Sequence, residues 1–422
     1  SFVVRTDQAF APHVLDMFEP QVHPNDFAYP GGPPIPPYDL TGWTLAYQMK
    51  VRFDRILDPF DGPFEKVQDW NLDPRPGRIV GSGDGFLLDH RVNDAFKVVN
   101  RALAQGGQVW WIKEPVTVGG QSYPAGAFYV EIDRGQMEGL ARDLGVDARA
   151  VGERPRGEAM ELPRVRVGLV DQYGGSMPSG WTRLVLEDFG FDFTVVFPPE
   201  LDRGNLNAKY DVLIFPDGAI RAPGGRSFGG GMDPASVPAE YRDRIGSISA
   251  ETTVPKILEF VRNGGTAVTV GGSTSLAFYA DLGISDFLVG PDGTRVSNDE
   301  FFIPGSLLEV DLSHATPALD GLGDSVVVMY DTSPVLRVED RAPGVTVLGR
   351  YGAQPLRSGW AWGQEKLDGG VSLAEAQLGQ GKMFLFTPEV TFRGQPHGTF
   401  PLMFNAIYYG PASKGRLIGE QR

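Results

Sequence analysis

Short apolar runs alternate with stretches of helical spacing through the middle of the chain. Residues 165–171 (VRVGLVD), 191–197, 210–216 (YDVLIFP) and 266–270 (TAVTV) are nearly continuous apolar segments, the pattern of strands buried on both faces. Helical spacing is predicted over 181–189, 254–262 and 275–282, the second stopped by Gly264-Gly265. This alternation predicts an α/β fold with a mostly parallel sheet covered on both sides. Residues 301–390 turn β-like, with strands predicted over 307–312, 325–330, 345–351 and 382–386. A last helix over 400–409 is expected to pack back on the sheet.

A smaller α/β unit precedes it. Strands are predicted over 85–89 (GFLLD) and 108–112 (QVWWI), with a helix over 95–104 capped by Asn93 and closed by Gly106-Gly107. A hairpin around Gly119-Gly120 spans 116–132, and a short helix follows over 136–144. Residues 149–163, charged and containing Pro155 and Pro163, read as a linker. The first 75 residues show little periodicity beyond helices predicted over 11–18 and 42–57. Between these, prolines make 29–38 a stiff extended connector whose Tyr and Ile side chains are expected to lie across a neighbouring surface. The expected organisation is therefore an irregular connector over 1–75, a small α/β domain over 76–150 and a larger domain over 164–412.

Composition narrows the function. With 41% hydrophobic residues in 422, the chain has material for packed cores, and its 55 Gly and 34 Pro imply many ordered turns. A net charge of -15 without a basic run argues against a nucleic-acid partner, and the absence of any stretch of 18 apolar residues argues against a membrane span. The absence of Cys excludes thiolate chemistry and disulfides. The chain opens Ser1-Phe2-Val3-Val4-Arg5, a β-like run that reads as a chain entered midway.

Three constellations are candidates for chemistry. His13/Asp16 and His23/Asp26 have the i, i+3 spacing of metal ligands, but zinc needs three or four convergent groups and Pro24 opposes a helix at the second pair. No metal ligand is assigned. The glycine-rich 81–85 leads into a strand rather than a helix, so no helix N-terminus would face a phosphate. The third, Val270-Gly271-Gly272-Ser273-Thr274-Ser275, is a strand, a sharp turn and a helix start. Such an elbow is expected to lift Ser273 above the sheet edge. With Asp217 and Gly218 at a neighbouring strand end, Ser273 and Thr274 would line a small-ligand pocket.

The elbow, the segment YDVLIFPDG and the late FLFTPE resemble a class I glutamine amidotransferase-like domain, which has a flavodoxin-like fold. That family places Cys at the elbow and a His two residues before a Glu after the late strand. The matching positions are Ser273, Thr387 and Glu389, so nucleophile and base types are both absent, which implies a vestigial triad without amidotransferase activity. A wider resemblance covers most of the chain. Residues 29–49 (YPGGPPIPPYDLTGWTLAYQM), 87–103 (LLDHRVNDAFKVVNRAL) and 392–412 (FRGQPHGTFPLMFNAIYYGPA) are similar to the region C-terminal to the peptidase domain in long bacterial zinc-carboxypeptidase-like proteins. The resemblance implies a periplasmic or secreted protein whose zinc sits in the parent peptidase domain, with no cofactor in this chain. It implies a non-catalytic accessory region, with the metallopeptidase domain of the same polypeptide or complex as its partner. No His-x-x-Glu occurs here, so no peptidase residue carries over.

Two alternatives stand beside it: a binding protein for a small ligand or glycan, and a serine hydrolase using Ser273 with His314 or His397. Smaller signals are Asp89-His90-Arg91 with Asn93-Asp94, read as a cap and a local ion pair, and Trp110-Trp111, one expected in the core and one at an interface. Trp360 and Trp362 read as loop packing, with sugar stacking as the alternative.

Overall fold

The computed structural model describes residues 2–68, 75–225 and 233–412. The fold is mixed α/β, built on two main sheets. The smaller has six strands, β1 (Ile79–Gly81), β2 (Gly85–Leu88), β3 (Gln108–Ile112), β6 (Phe128–Glu131), β7 (Ala148–Val151) and β8 (Ala159–Glu161), in the order β1-β7-β2-β6-β3-β8. A separate hairpin, β4 (Val116–Val118) and β5 (Gln121–Tyr123), turns at Gly119-Gly120 as expected. Strands β7 and β8 occupy the stretch expected to be a linker. They are short and polar on one side, and pairing with β2 and β3 rather than periodicity makes them strands.

The larger sheet has 11 strands. Its parallel part is β9 (Val167–Val170), β10 (Phe193–Val196), β11 (Val212–Phe215), β12 (Thr266–Val270) and β19 (Gly381–Phe386), in the order β10-β9-β11-β12-β19. The sheet continues antiparallel through β18 (Val371–Leu378), β17 (Val345–Ser358), β14 (Ser306–Leu312) and β15 (Ser325–Tyr330). Short strands β13 (Ile284–Asp286) and β16 (Leu336–Val338) join it through β18.

Alternate residues of the parallel strands face two cores. Val212 and Ile214 point to one cluster, Leu213 and Phe215 to the other. Helices α6 (Pro198–Asp202) and α7 (Thr253–Arg262) flank the second, to which α7 gives Val254, Ile257, Leu258 and Val261. On the first side lie α3 (Asp94–Ala104), α5 (Met177–Asp188) and α8 (Phe400–Ala412), while α4 (Arg134–Leu144) packs on α3. Helix α8 is apolar nearly all round and is buried on nearly every side, as such a helix must be. Its Phe404 meets Phe96 of α3 at 5.0 Å and Phe191 at 5.0 Å, so one core joins the two sheets.

The N-terminal segment departs most from expectation. Helix α1 (Ala11–Phe18) forms, but the helix expected over 42–57 is reduced to α2 (Leu45–Gln48). Lys50 adopts φ 56, which ends it, and the remainder to residue 68 is irregular. Polar bonds hold the segment to the large sheet: Thr44 Oγ1 donates to Ser358 Oγ (2.9 Å), Gly42 N to Gly305 O (3.1 Å) and Trp360 Nε1 to Asn25 Oδ1 (2.8 Å). Tyr29, Ile35 and Tyr38 do not lie across a surface; all three stand exposed, and Gly32 and Pro34 are the buried residues of the connector. Trp360 and Trp362 pack against Phe27 at 6.0 and 4.8 Å, the loop packing expected of them.

Candidate functional site

The carboxyl ends of β11, β12 and β19 bring Asp217, the Ser273 elbow and Glu389 to one place. Gly271 makes the turn at φ 58, and a Cβ there would meet Asp217 Oδ1 at 2.1 Å, so only glycine fits. Residues Gly271–Tyr279 then wind as a 3-10 helix rather than the expected α-helix over 275–282. This tighter winding accompanies a different outcome for Ser273. Its side chain is fully buried, donating to Pro216 O (2.5 Å) and accepting from Ile220 N (3.0 Å). The elbow therefore clamps the 216–220 turn instead of presenting a nucleophile. Neither His314 nor His397 bonds to it: His314 faces Asp324 at 3.0 Å, and His397 stacks on Phe400 at 4.7 Å.

Thr274 Oγ1 donates to Gly271 O (2.8 Å) and so serves the same turn. Asp217 Oδ1 accepts from Gly272 N (2.5 Å), and Gly218 takes φ 73 beside it. Burial pushes the Asp217 pKa up, opposed by the Gly272 and Gly218 amides. Thr387 is fully buried, its N–H donating to Ser372 O (3.0 Å). Glu389 is 8% exposed, with Oε2 buried and unpartnered. Burial first, then repulsion from Asp217 and Asp331, raises its pKa to about 8. Beside the elbow, the Glu389 carboxyl thus lies near a second acid, Asp217, while the Ser273 hydroxyl is engaged by Pro216 O and Ile220 N.

The remaining candidates take structural places. His90 is fully buried, its ring nitrogens 2.6 Å from Gly126 O and 2.8 Å from Asn405 Oδ1, and burial lowers its pKa to about 4. Asp89 pairs with Arg91 at 2.5 Å, the expected local ion pair. Asn93 does not cap α3; its side chain donates to His397 O (2.8 Å). Trp111 lies in the main core with Nε1 donating to Asp320 (2.8 Å), and Trp110 packs on the opposite side under Arg154 (4.4 Å). The His/Asp pairs do not suit zinc: Asp16 accepts from Trp43 Nε1 (3.0 Å), and His23 stacks on Trp360 (5.3 Å). Among the described residues no group of three or more His, Cys, Asp or Glu could hold a metal.

The feature missed from sequence is a cavity of about 680 Å³ at the neighbouring ends of β9 and β10. It contains none of Asp217, Gly218, Ser273 or Thr274. Its signal was present: Gly174-Gly175 between a strand and the Ser176-capped helix α5.

No family model and no curated protein sequence matches the chain. Among solved structures, the β-galactosidase from Bacillus circulans sp. alkalophilus aligns at 15% identity and TM-score 0.34, over 58% of this chain and 31% of that one. The chain thus spans about a third of that enzyme's length. PurLQS from Thermotoga maritima aligns at 16% identity and TM-score 0.35, over 58% of this chain and 98% of that one. A putative GMP synthase protein from Thermoplasma acidophilum gives 13% and 0.34, over 58% and 92%. No helix among the described residues is long and apolar enough to cross a membrane.

Proposed function

We propose that this chain is the non-catalytic accessory region of an exported zinc-carboxypeptidase-like protein, and that residues 164–412 are an amidotransferase-like, flavodoxin-type domain that no longer performs amide chemistry. The observation that carries the reading is the distribution of exposed apolar side chains. From Phe2 to Val67 the chain leaves Phe10, Tyr29, Tyr38, Leu57, Phe60 and Phe64 among many others in solvent. Beyond residue 67 only Val80, Val92, Met177, Leu184 and Tyr241 are so exposed among the described large hydrophobics. This concentration of exposed apolar side chains on an otherwise well-buried fold supports a contact with another protein surface. The occupant we assign is the peptidase domain named by the sequence resemblance, which would also carry the zinc. The clamped Ser273 supports the non-catalytic half of the reading, and it counts against a serine hydrolase.

Intact mass of the natural protein, peptide mapping upstream of Ser1 and a zinc determination on the same sample test this reading. The expected result is a larger polypeptide, or a stable complex, holding a His-x-x-Glu segment and bound zinc. A protein of this chain's own mass, without zinc or a peptidase partner, would overturn it. The second reading, a small-ligand binding protein, is favoured by the cavity at the ends of β9 and β10.

A further inference from the structure

The cavity lies over the carboxyl ends of β9 and β10, one strand over from the β9/β11 crevice at which the winding of the parallel sheet reverses. Open α/β sheets take their ligands outside the carboxyl ends of the strands, the side on which this cavity opens. The loop that floors it turns through Gly174 (φ 89) and Gly175 (φ 78) and keeps side chains out of the opening.

Its chemistry departs from that of the molecule. The chain is strongly acidic, and many of its described arginines face a carboxylate, as Arg166 faces Asp211 at 2.7 Å. Three guanidinium groups from separate elements line this cavity: Arg183 on α5, Arg203 just past α6 and Arg244 at the end of the 3-10 turn Ala239–Arg244. Arg183 pairs with Glu187 at 2.7 Å, but no carboxylate among the described residues lies within ion-pair distance of Arg203 or Arg244. Glu200, also at the cavity, is already held by Lys209 and Tyr210, both at 2.9 Å. Arg244 stands 4.9 Å from the Tyr241 ring centroid and 5.3 Å from that of Phe197. Such ring contacts orient a guanidinium without using its N–H donors, which remain suited to bidentate capture of an oxyanion. Asp171 and Asp243 balance Arg203 and Arg244 in formal charge, so the cavity suits a ligand with one anionic group held by directed guanidinium hydrogen bonds better than a polyanion. Tyr173 and Tyr241, ring centroids 6.1 Å apart, give it an aromatic wall, and Tyr241 is among the few exposed aromatics outside the N-terminal segment.

We propose that this cavity binds a small molecule joining one oxyanion, a carboxylate or a phosphate, to a ring, with the oxyanion on Arg203 and Arg244 and the ring against Tyr173 and Tyr241. The site shares no residue with the elbow.

Calorimetric titration of the whole chain with benzoate, phenyl phosphate, inorganic phosphate and benzyl alcohol tests the proposal. At least one ring-bearing oxyanion is expected to bind with a Kd on the order of 1 mM, as suits so small a probe. Whether benzoate or phenyl phosphate binds more tightly identifies the group. Benzyl alcohol and inorganic phosphate, each lacking half of the recognised chemistry, are expected to bind roughly tenfold more weakly or not at all. Arg203→Gln is expected to weaken binding about tenfold, whereas Arg142→Ala, at a surface pair with Asp143, leaves it unchanged. Arg244→Ala should act as Arg203→Gln does; should it unfold, Arg203→Gln, with its thermal transition checked against the parent, carries the test alone. Failure of both ring-bearing anions to bind at about 10 mM, equal binding by Arg203→Gln, or equal binding of benzyl alcohol would each overturn the proposal.

Discussion

Burial leaves Glu389 with one carboxylate oxygen unpartnered and with Asp217 and Asp331 within electrostatic reach, and its pKa stands at about 8 against an ordinary 4.5. The folded state therefore holds a proton that the unfolded chain releases once the pH passes the ordinary value. Linkage gives the sign: the contribution to stability is fully present below pH 4.5 and is lost as pH rises through 8. Thermal midpoints measured from pH 5 to 9 are expected to fall across that window for the parent chain. Glu389→Gln, which keeps the shape and cannot ionise, is expected to flatten the fall, and a variant profile parallel to the parent's would contradict the assignment. Ser273 teaches a related lesson about legibility. The run Val270-Gly271-Gly272-Ser273 placed a strand, a turn and the residue at the strand end correctly. The direction of the hydroxyl depended on Pro216 and Ile220, more than fifty positions away, which local spacing does not encode.

Helix α8 is the element that ties the sheets together. Asn405 sits in its buried middle, with Nδ2 donating to Ala318 O (3.0 Å) and Asp320 O (2.9 Å) and Oδ1 facing His90. Asn405→Leu keeps the size but leaves His90 Nε2 and two carbonyls without their partner, and is expected to cost about 2–5 kcal/mol. Chemical denaturation reads this directly; a loss below about 1 kcal/mol would show that the network does not join the units. Strands with continuous apolar runs, β9, β11, β12 and β19, were legible because burial on both faces leaves that mark in sequence. Strand β18 was not. Its residues Val371–Leu378 (VSLAEAQL) include Ala, Glu and Gln, ordinary helix formers, and pairing with β19 and β17 overrides them. Lys382 reaches from β19 to Glu375 at 2.5 Å, so a charge that reads as solvent-facing in sequence is paired inside the sheet. Similarly, β7 and β8 were hidden in a charged, proline-containing stretch that pairing with neighbours makes into the strand beside β1 and the opposite edge strand.

At the scale of the molecule, two sheets share one well-filled core, while residues 2–68 lie against the larger sheet through polar anchors and a few apolar contacts such as Phe27 with Trp360 and Trp362, and leave many other apolar side chains exposed. A second protein surface covering the segment, the central claim of the proposed function, would account for that inversion of the usual pattern. Hydrogen–deuterium exchange across residues 2–67 tests it most directly, comparing the isolated chain with the protein purified from its natural source. Peptides in 2–67 are expected to exchange more slowly in the natural protein while those from the strands β9 to β12 are unchanged. Equal exchange across 2–67 in the two samples would contradict it.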